Sequence, residues 1–318
     1  MRPTTPLAML TTVKFSALDH ILPGRLSLTL SNLTIKNSQS SISGGPAGVL
    51  YKGSGEALID AVEVVDGSGP HSAIYNNFGT LTIRNSTFRN NAANGCAAVV
   101  SIGRTTISNS TFTGNKATTA QGGAICSSYK VVSRDALISD HMSITNTTFN
   151  GNSATGEGGA IFVSSFPETG TTGVKLLNVT SDSNSSPFGA NIGWPLIGSN
   201  DWLLTAENTI LSNPLGGGEN CMRGRSNQFI SRGHNISSDS SCPFDQAGDL
   251  VNTDPLLGPL ADNGGLIQTQ ARLGGSPRSM RAARTARCSI NAEPPGRSME
   301  IKMGRRFVML GHLGLGEQ

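Results

Sequence analysis

Charge and aromatic mass are what this sequence has least of. Charged residues make up 14% of its 318 positions and aromatic residues 5%. That shortage argues against an α/β enzyme built on a bulky core. No stretch approaches the roughly 18 consecutive apolar residues that a membrane-spanning helix needs, and no heptad or 3.6-residue pattern of useful length appears. The five cysteines form no CxxC pair, which removes the common zinc spacings. The glycine run Gly216-Gly217-Gly218 is followed by Glu219 rather than by Lys and a hydroxyl residue, so it reads as a flexible turn and not as a phosphate loop. No G-x-S-x-G elbow supports a serine nucleophile.

What the chain does have is 39 glycines, many Ser, Thr and Asn, and one phrase written at least three times. It reads Asn85-Ser86-Thr87-Phe88-Arg89-Asn90-Asn91, then Asn109-Ser110-Thr111-Phe112-Thr113-Gly114-Asn115, then Asn146-Thr147-Thr148-Phe149-Asn150-Gly151-Asn152. A small-residue strand follows each copy: Gly95-Cys96-Ala97-Ala98-Val99, Gly122-Gly123-Ala124-Ile125 and Gly158-Gly159-Ala160-Ile161. Weaker copies begin at Asn178 and Glu207, so the starts at 85, 109, 146, 178 and 207 step by 24, 37, 32 and 29 residues. A fixed phrase at a variable step predicts the coils of one solenoid, with aligned strands and loops of unequal length. Ile83, Ile107 and Ile144 precede each Asn by two positions, and a Phe follows it by three. That is period-two patterning in β-branched residues, the mark of short strands with one buried face. The chain has room for roughly eight to ten coils around a thin shared core.

Stacked coils place equivalent side chains above one another at about 4.8 Å. Phe88, Phe112 and Phe149 should then stack, and Asn85, Asn109 and Asn146 should form an amide ladder while turning the corners. These asparagines are therefore scaffold rather than catalytic groups. The seven Asn-x-Ser/Thr sequons follow largely from the repeat phrase and carry little weight as glycosylation sites. Cys221 and Cys242 flank a loop and can close it as a disulfide in an oxidising compartment. Cys96 and Cys126 lie out of register on the small-residue strands and are expected to be buried small hydrophobes, not a bridge.

From Asn208 the text changes. It runs through Cys221, Gly233-His234-Asn235-Ile236 and Cys242 to Asp254-Pro255-Leu256-Leu257-Gly258-Pro259-Leu260-Ala261-Asp262-Asn263-Gly264-Gly265 and Gly275-Ser276-Pro277. This resembles the carboxy-terminal region of bacterial secreted right-handed parallel β-helix repeat proteins that carry a choice-of-anchor Q region. The repeats themselves look like those of the pectin-lyase-like superfamily and of polymorphic outer-membrane proteins, which share Gly-Gly-Ala-Ile signatures. The resemblance covers residues 26 to 277. It implies an all-β, right-handed parallel β-helix, exported or displayed on the outer surface of a bacterium.

After Pro277 the family text would continue Ala-Ile-Asp-Ala-Gly, and here it does not. Codons allowed for Pro277-Arg278-Ser279-Met280 include a string whose shifted frame reads Ala-Ile-Asp, and the shift can be continued through further family motifs. Residues 278–318 are therefore read as the disordered product of a single-base frameshift. They hold 8 of the 24 basic and 3 of the 21 acidic residues, a net of +5, which leaves 16 basic and 18 acidic elsewhere, a net of −2. The sequence pI of 8.7 thus comes from the tail, and no nucleic-acid partner is expected. At the other end, Pro6 to Leu10 is too short an apolar core for a signal peptide and Lys14 interrupts it. The array already reads as mid-solenoid at Leu26. Residues 1–25 are taken as an irregular or truncated leading segment whose export signal lies upstream. Residues 26–215 are the repeats and residues 216–277 the C-terminal β-helix region.

The search for chemistry finds candidates without a constellation. Asp60, Glu63 and Asp66 on early coils, and Asp135, Asp140, Asp182 and Asp201 on later ones, recur at no spacing that clusters acids on adjacent coils, and most sit in loop-like text. His20, His71, His141, His234 and His312 share no motif. Asp245, Asp249, Asp254 and Asp262 offer oxygen ligands for Ca²⁺, but their spacing matches no EF-hand loop, and no cofactor is expected. Trp194 and Trp202, on a loop between coils, either stack on sugar rings or pack that loop against the solenoid. The expectation is a non-enzymatic adhesion or carbohydrate-contact scaffold whose partner is cell-surface polysaccharide or a host or neighbouring surface. A polysaccharide lyase or hydrolase is the alternative, and it would need two carboxylates and a base converging over adjacent coils.

Overall fold

The computed structural model describes residues 9–10, 27–39, 47–53, 55–77, 79–129, 141–165, 172–195, 202–222 and 228–277. Among them there is no α-helix, and the strands wind into a parallel β-helix. The tail from 278 and most of the leading segment lie outside the described residues. Within that segment Met9–Leu10 pairs in parallel with Thr34 and Ile35.

One coil shows the plan. Thr80–Arg84 lies on a first face, the chain turns at Asn85, and Thr87–Arg89 lies on a second face. It turns again at Asn90, touches the short strand Ala92–Ala93, and returns along Val99–Ser101 to Arg104–Ser108 of the next coil. Successive first-face strands pair in parallel, as do successive second-face strands. Ser27–Lys36 and Glu56–Val65 are long enough to run along both faces and join them into one sheet of 15 strands. The return strands form a parallel sheet of 6.

The corner between the first two faces has left-handed backbone at Asn32, Ala61, Asn85, Asn109, Asn146, Asn178, Asn208 and His234, which marks eight coils among the described residues. The next corner repeats the conformation at Asn37, Asp66, Asn90, Gly114, Gly151, Ser183 and Asn213. Cβ crowds the following carbonyl there for most L-residues, and Asn and Gly tolerate it best. The phrase can now be read residue by residue. Its first Asn turns the corner. The Ser or Thr after it is buried and closes the corner through its hydroxyl: Ser86 donates to the Arg84 carbonyl at 2.7 Å, Ser110 to Ser108 at 2.8 Å and Thr147 to Thr145 at 2.9 Å. The next Thr points outward and the Phe inward. Phe88 stacks on Phe112 with centroids 4.9 Å apart, and Phe112 on Phe149 at 5.1 Å, close to the coil pitch itself.

The last Asn of the phrase points inward, and it builds the ladder that matters. Asn115 uses all four hydrogen-bonding positions of its amide. Its oxygen accepts from Asn91 Nδ2 at 3.0 Å and from the Asn91 backbone N–H at 3.1 Å. Its nitrogen donates to Asn152 Oδ1 at 2.9 Å and to the Phe88 carbonyl at 3.0 Å. The chain of amides continues from Asn152 to Asn184, Asn191 and Asn220, all fully buried from Asn115 onward. Asn220 then donates to Ser237 and Ser238. The ladder expected from Asn85, Asn109 and Asn146 is a smaller, exposed one. Asn178 donates to Asn146 and Asn146 to Asn109, whereas Asn85 donates to Asp60 at 2.9 Å, because the coil before it carries Ala61 at the corner.

The solenoid continues past residue 215 through Phe229–Ser231 and Ile236–Ser237. Its end is closed by the segment around Phe244, whose ring meets Phe229 edge-on at 5.6 Å. A Cys221–Cys242 disulfide ties this cap down. Cys96 and Cys126 are also bonded, contrary to the expectation of two buried thiols. The turn at Gly122, with φ of 68°, folds the chain back so that residues out of register along the strands approach to a Cα–Cα distance of 5.7 Å. Beyond the cap, Leu257–Ala261 and Thr269–Arg272 form an antiparallel hairpin.

Candidate functional site

The surface available for chemistry consists of outward rows set by strand register. On the first face Thr82, Thr106, Ser143, Lys175 and Thr205 follow one another coil by coil. On the second face Glu63, Thr87, Thr111, Thr148 and Thr180 form one row, and Arg89, Thr113, Asn150, Asp182 and Ser212 the next. Both faces are therefore mostly neutral and hydroxyl-bearing.

Charge gathers at the early coils. Arg84 pairs with Asp60 at 2.8 Å and Arg89 with Glu63 at 2.9 Å, and Asn90 donates to Asp66 at 3.2 Å. Asp60 and Glu63 thus belong to the strand Glu56–Val65. The Asp60 hydrogen bond and charge raise the Arg84 pKa above its ordinary value, so this guanidinium stays a cation and cannot serve as a base. Asp182 ends the strand Thr180–Asp182. Ser212 and Asn213 donate to its Oδ1 at 2.6 and 2.8 Å, and Ser183 and Gln270 to its Oδ2, both at 2.9 Å. A carboxylate so filled with donors acts as a clamp between the solenoid and the C-terminal hairpin. Asp135, Asp140, Asp201, His20 and His312 lie outside the described residues.

The remaining candidates also have structural places. Trp194 and Trp202 are each 1% exposed with ring centroids 5.2 Å apart, and Trp202 begins a strand, so neither offers a sugar platform. Asp249 accepts from Ser231 and from Asn235 and Gln246, while Asp254 and Asp262 cap tight turns at Leu256 and Gly264. Among the described residues no group of three or more His, Cys, Asp or Glu is placed to hold a metal ion. His141 is buried, and that burial pushes its imidazole down to about 4; its hydrogen bond to the Ser101 backbone opposes the shift and the Arg104 charge adds to it.

Asp239 is a site that the sequence did not single out. Burial pushes its carboxyl up, but the Asn220 N–H at 2.8 Å, the Ser241 hydroxyl and N–H at 2.6 and 3.0 Å and the Ser237 hydroxyl at 3.1 Å outweigh it, and its pKa falls below the ordinary value. It terminates the buried amide ladder where the donors point outward. The signal was present in Ser237-Ser238-Asp239-Ser240-Ser241, a run that resembles any polar loop until the ladder's end is known.

Two segments, residues 109–128 and 146–164, match the Chlamydia polymorphic membrane protein repeat. No curated protein and no solved structure matches the chain. The repeats are thus similar to those of a surface-exposed, polymorphic outer-membrane type of protein. Each matched segment runs from a corner asparagine, through the stacked Phe and the buried Asn, into the Gly-Gly-Ala-Ile turn. The second glycine of that turn is a matter of space: a Cβ on Gly123 would overlap the Gly159 carbonyl, and one on Gly159 would lie 2.5 Å from the carbonyls of Ala190 and Ser185. The similarity therefore rests on residues that build the coil.

Proposed function

We propose that the chain is a secreted or surface-displayed, non-enzymatic β-helix scaffold that contacts polysaccharide through its flat, hydroxyl-bearing faces. The observation that carries this reading is the first-face row Thr82–Thr106–Ser143, which stands in strict register one coil apart and ends on polar side chains. A hydroxyl both donates and accepts, so a row of them suits a ligand made of hydroxyls. Three further features support it: the match to repeats of outer-membrane-type proteins, the resemblance of Asp254 to Gly265 to choice-of-anchor Q regions, and the Cys96–Cys126 and Cys221–Cys242 disulfides, which belong in an oxidising compartment.

The lyase or hydrolase reading of the pectin-lyase-like superfamily has one observation in its favour. Asp60, Glu63, Arg84 and Arg89 gather two carboxylates and two guanidinium cations over adjacent coils. Each carboxylate is neutralised by its own arginine, which is the arrangement of a solvated ion pair rather than of an acid and a base poised for proton transfer. The test uses the oxidised full chain on insoluble neutral polysaccharides. Retention is expected, together with its loss in Thr106→Glu/Ser143→Glu at unchanged thermal stability. A wild-type protein that none of them retains sinks the reading.

A further inference from the structure

The second face is divided along its length. At the early coils its outward side chains include the half-exposed pair Glu63 and Arg89. Further on, the C-terminal hairpin lies over it: Thr111, Thr148 and Asp182 stand in outward rows yet are only 0%, 5% and 4% exposed. Thr111 Oγ1 donates to the Gln268 carbonyl at 2.7 Å, and the Gln270 amide donates to Asp182 at 2.9 Å.

This cover is held lightly. Within the hairpin strands Leu257–Ala261 and Thr269–Arg272 the buried residue is Gly258, and the pairing register slips between Leu257 and Leu260. Leu266 and Leu273 are 74% and 52% exposed. A segment that buries so little opens at a free energy well below that of global unfolding. The face beneath does not depend on it. The Thr111–Thr113 strand keeps its sheet bonds to Thr87–Arg89 and Thr148–Asn150, and Asp182 keeps Ser212, Asn213 and Ser183 as donors.

Opening would uncover Thr111 and Thr148 and join them to the half-exposed Thr180, uncharged hydroxyls in register at about 4.8 Å per coil, edged by the Asn150 amide and a carboxylate already filled by donors. We infer that the hairpin is a displaceable strap over a second, latent strip that takes a neutral oligosaccharide. The inference rests on the polysaccharide-contact reading above. The strip carries no cation to select an anionic polymer. Its backbone groups are consumed within the sheet, so an extended peptide laid across it would find no ladder to join. Hydroxyl rows favour a ligand built of hydroxyls.

The test uses the oxidised full chain and cellohexaose, chitohexaose and maltohexaose as probes. Gln270→Ala removes the strap's bond to Asp182 without touching the strip. It should speed amide exchange in residues 257–272 by about tenfold while leaving the coils unchanged. It should also tighten binding of at least one probe by about fivefold, because the open fraction rises. Thr148→Val added to Gln270→Ala should return that affinity to the wild-type level or below. Unchanged affinity despite faster hairpin exchange overturns the inference, as does unchanged exchange or a gain that survives Thr148→Val. Tighter binding of a free peptide with the hairpin's own sequence, in place of the sugars, also overturns it. Each of these leaves wild-type retention through the first face standing, so failure of the strap is separable from failure of the polysaccharide reading.

Discussion

Asparagine does two different jobs within seven residues of this chain. Asn109 holds a left-handed corner at the surface with φ of 46°, while Asn115 lies fully buried with every amide position used. Phe88, Phe112 and Phe149 lie on one inward line, and the period-two pattern is where the sequence shows it, because apolar alternation reports burial directly. It could not separate the two asparagines, since either type satisfies a polar, turn-forming position, and only the coil's closed geometry decides which one points in. The Phe line gives a direct check. Phe112 is sandwiched between Phe88 and Phe149 at 4.9 and 5.1 Å, so Phe112→Ala opens a cavity that the flanking rings cannot fill. Chemical denaturation should show a loss of about 3–5 kcal/mol.

The elements at the end of the solenoid respond to acid and to redox state. Asp239 has a depressed pKa in the folded cap, so it stabilises the cap above the unfolded carboxylate value of about 4 and that contribution is lost as pH falls through the lower folded value. The protection of amides in residues 236–250, measured relative to an unstructured chain at the same pH, should therefore fall as the pH drops below about 4, and Asp239→Asn should flatten that dependence. His141, at the start of the first-face strand Met142–Thr145, acts in a higher window. Its folded value of about 4 lies below the ordinary imidazole value of 6.5, so the unfolded chain takes up a proton first and stability falls as pH drops between the two. Melting temperatures of wild type should decline across that window more than those of His141→Gln. Element boundaries were less legible than element type. The Cys96–Cys126 bridge escaped notice because strand register alone set the two residues apart, and the bend at Gly122 that joins them is a three-dimensional fact.

At the scale of the whole molecule, each coil contacts chiefly its neighbours, so stability is close to a sum of coil and interface contributions. The variable steps of 24, 37 and 32 residues reappear as the sequence separations of successive amide-ladder bonds, so the loops change length without disturbing the column inside. That much was readable from repetition alone. The strap on the second face was not, because its bond from Thr111 to Gln268 spans 157 residues and no local pattern records it. The central claim is that the repeated phrase is a scaffold whose final Asn forms one continuous buried amide column. It is tested most directly by the thermal unfolding of two substitutions six positions apart. Asn115→Ala strands the Asn91 donors and the Phe88 carbonyl and should lower Tm by about 10 °C. Asn109→Gly keeps the corner and should leave Tm within about 2 °C of wild type. Equal effects of the two, or a larger loss at Asn109, would contradict the account.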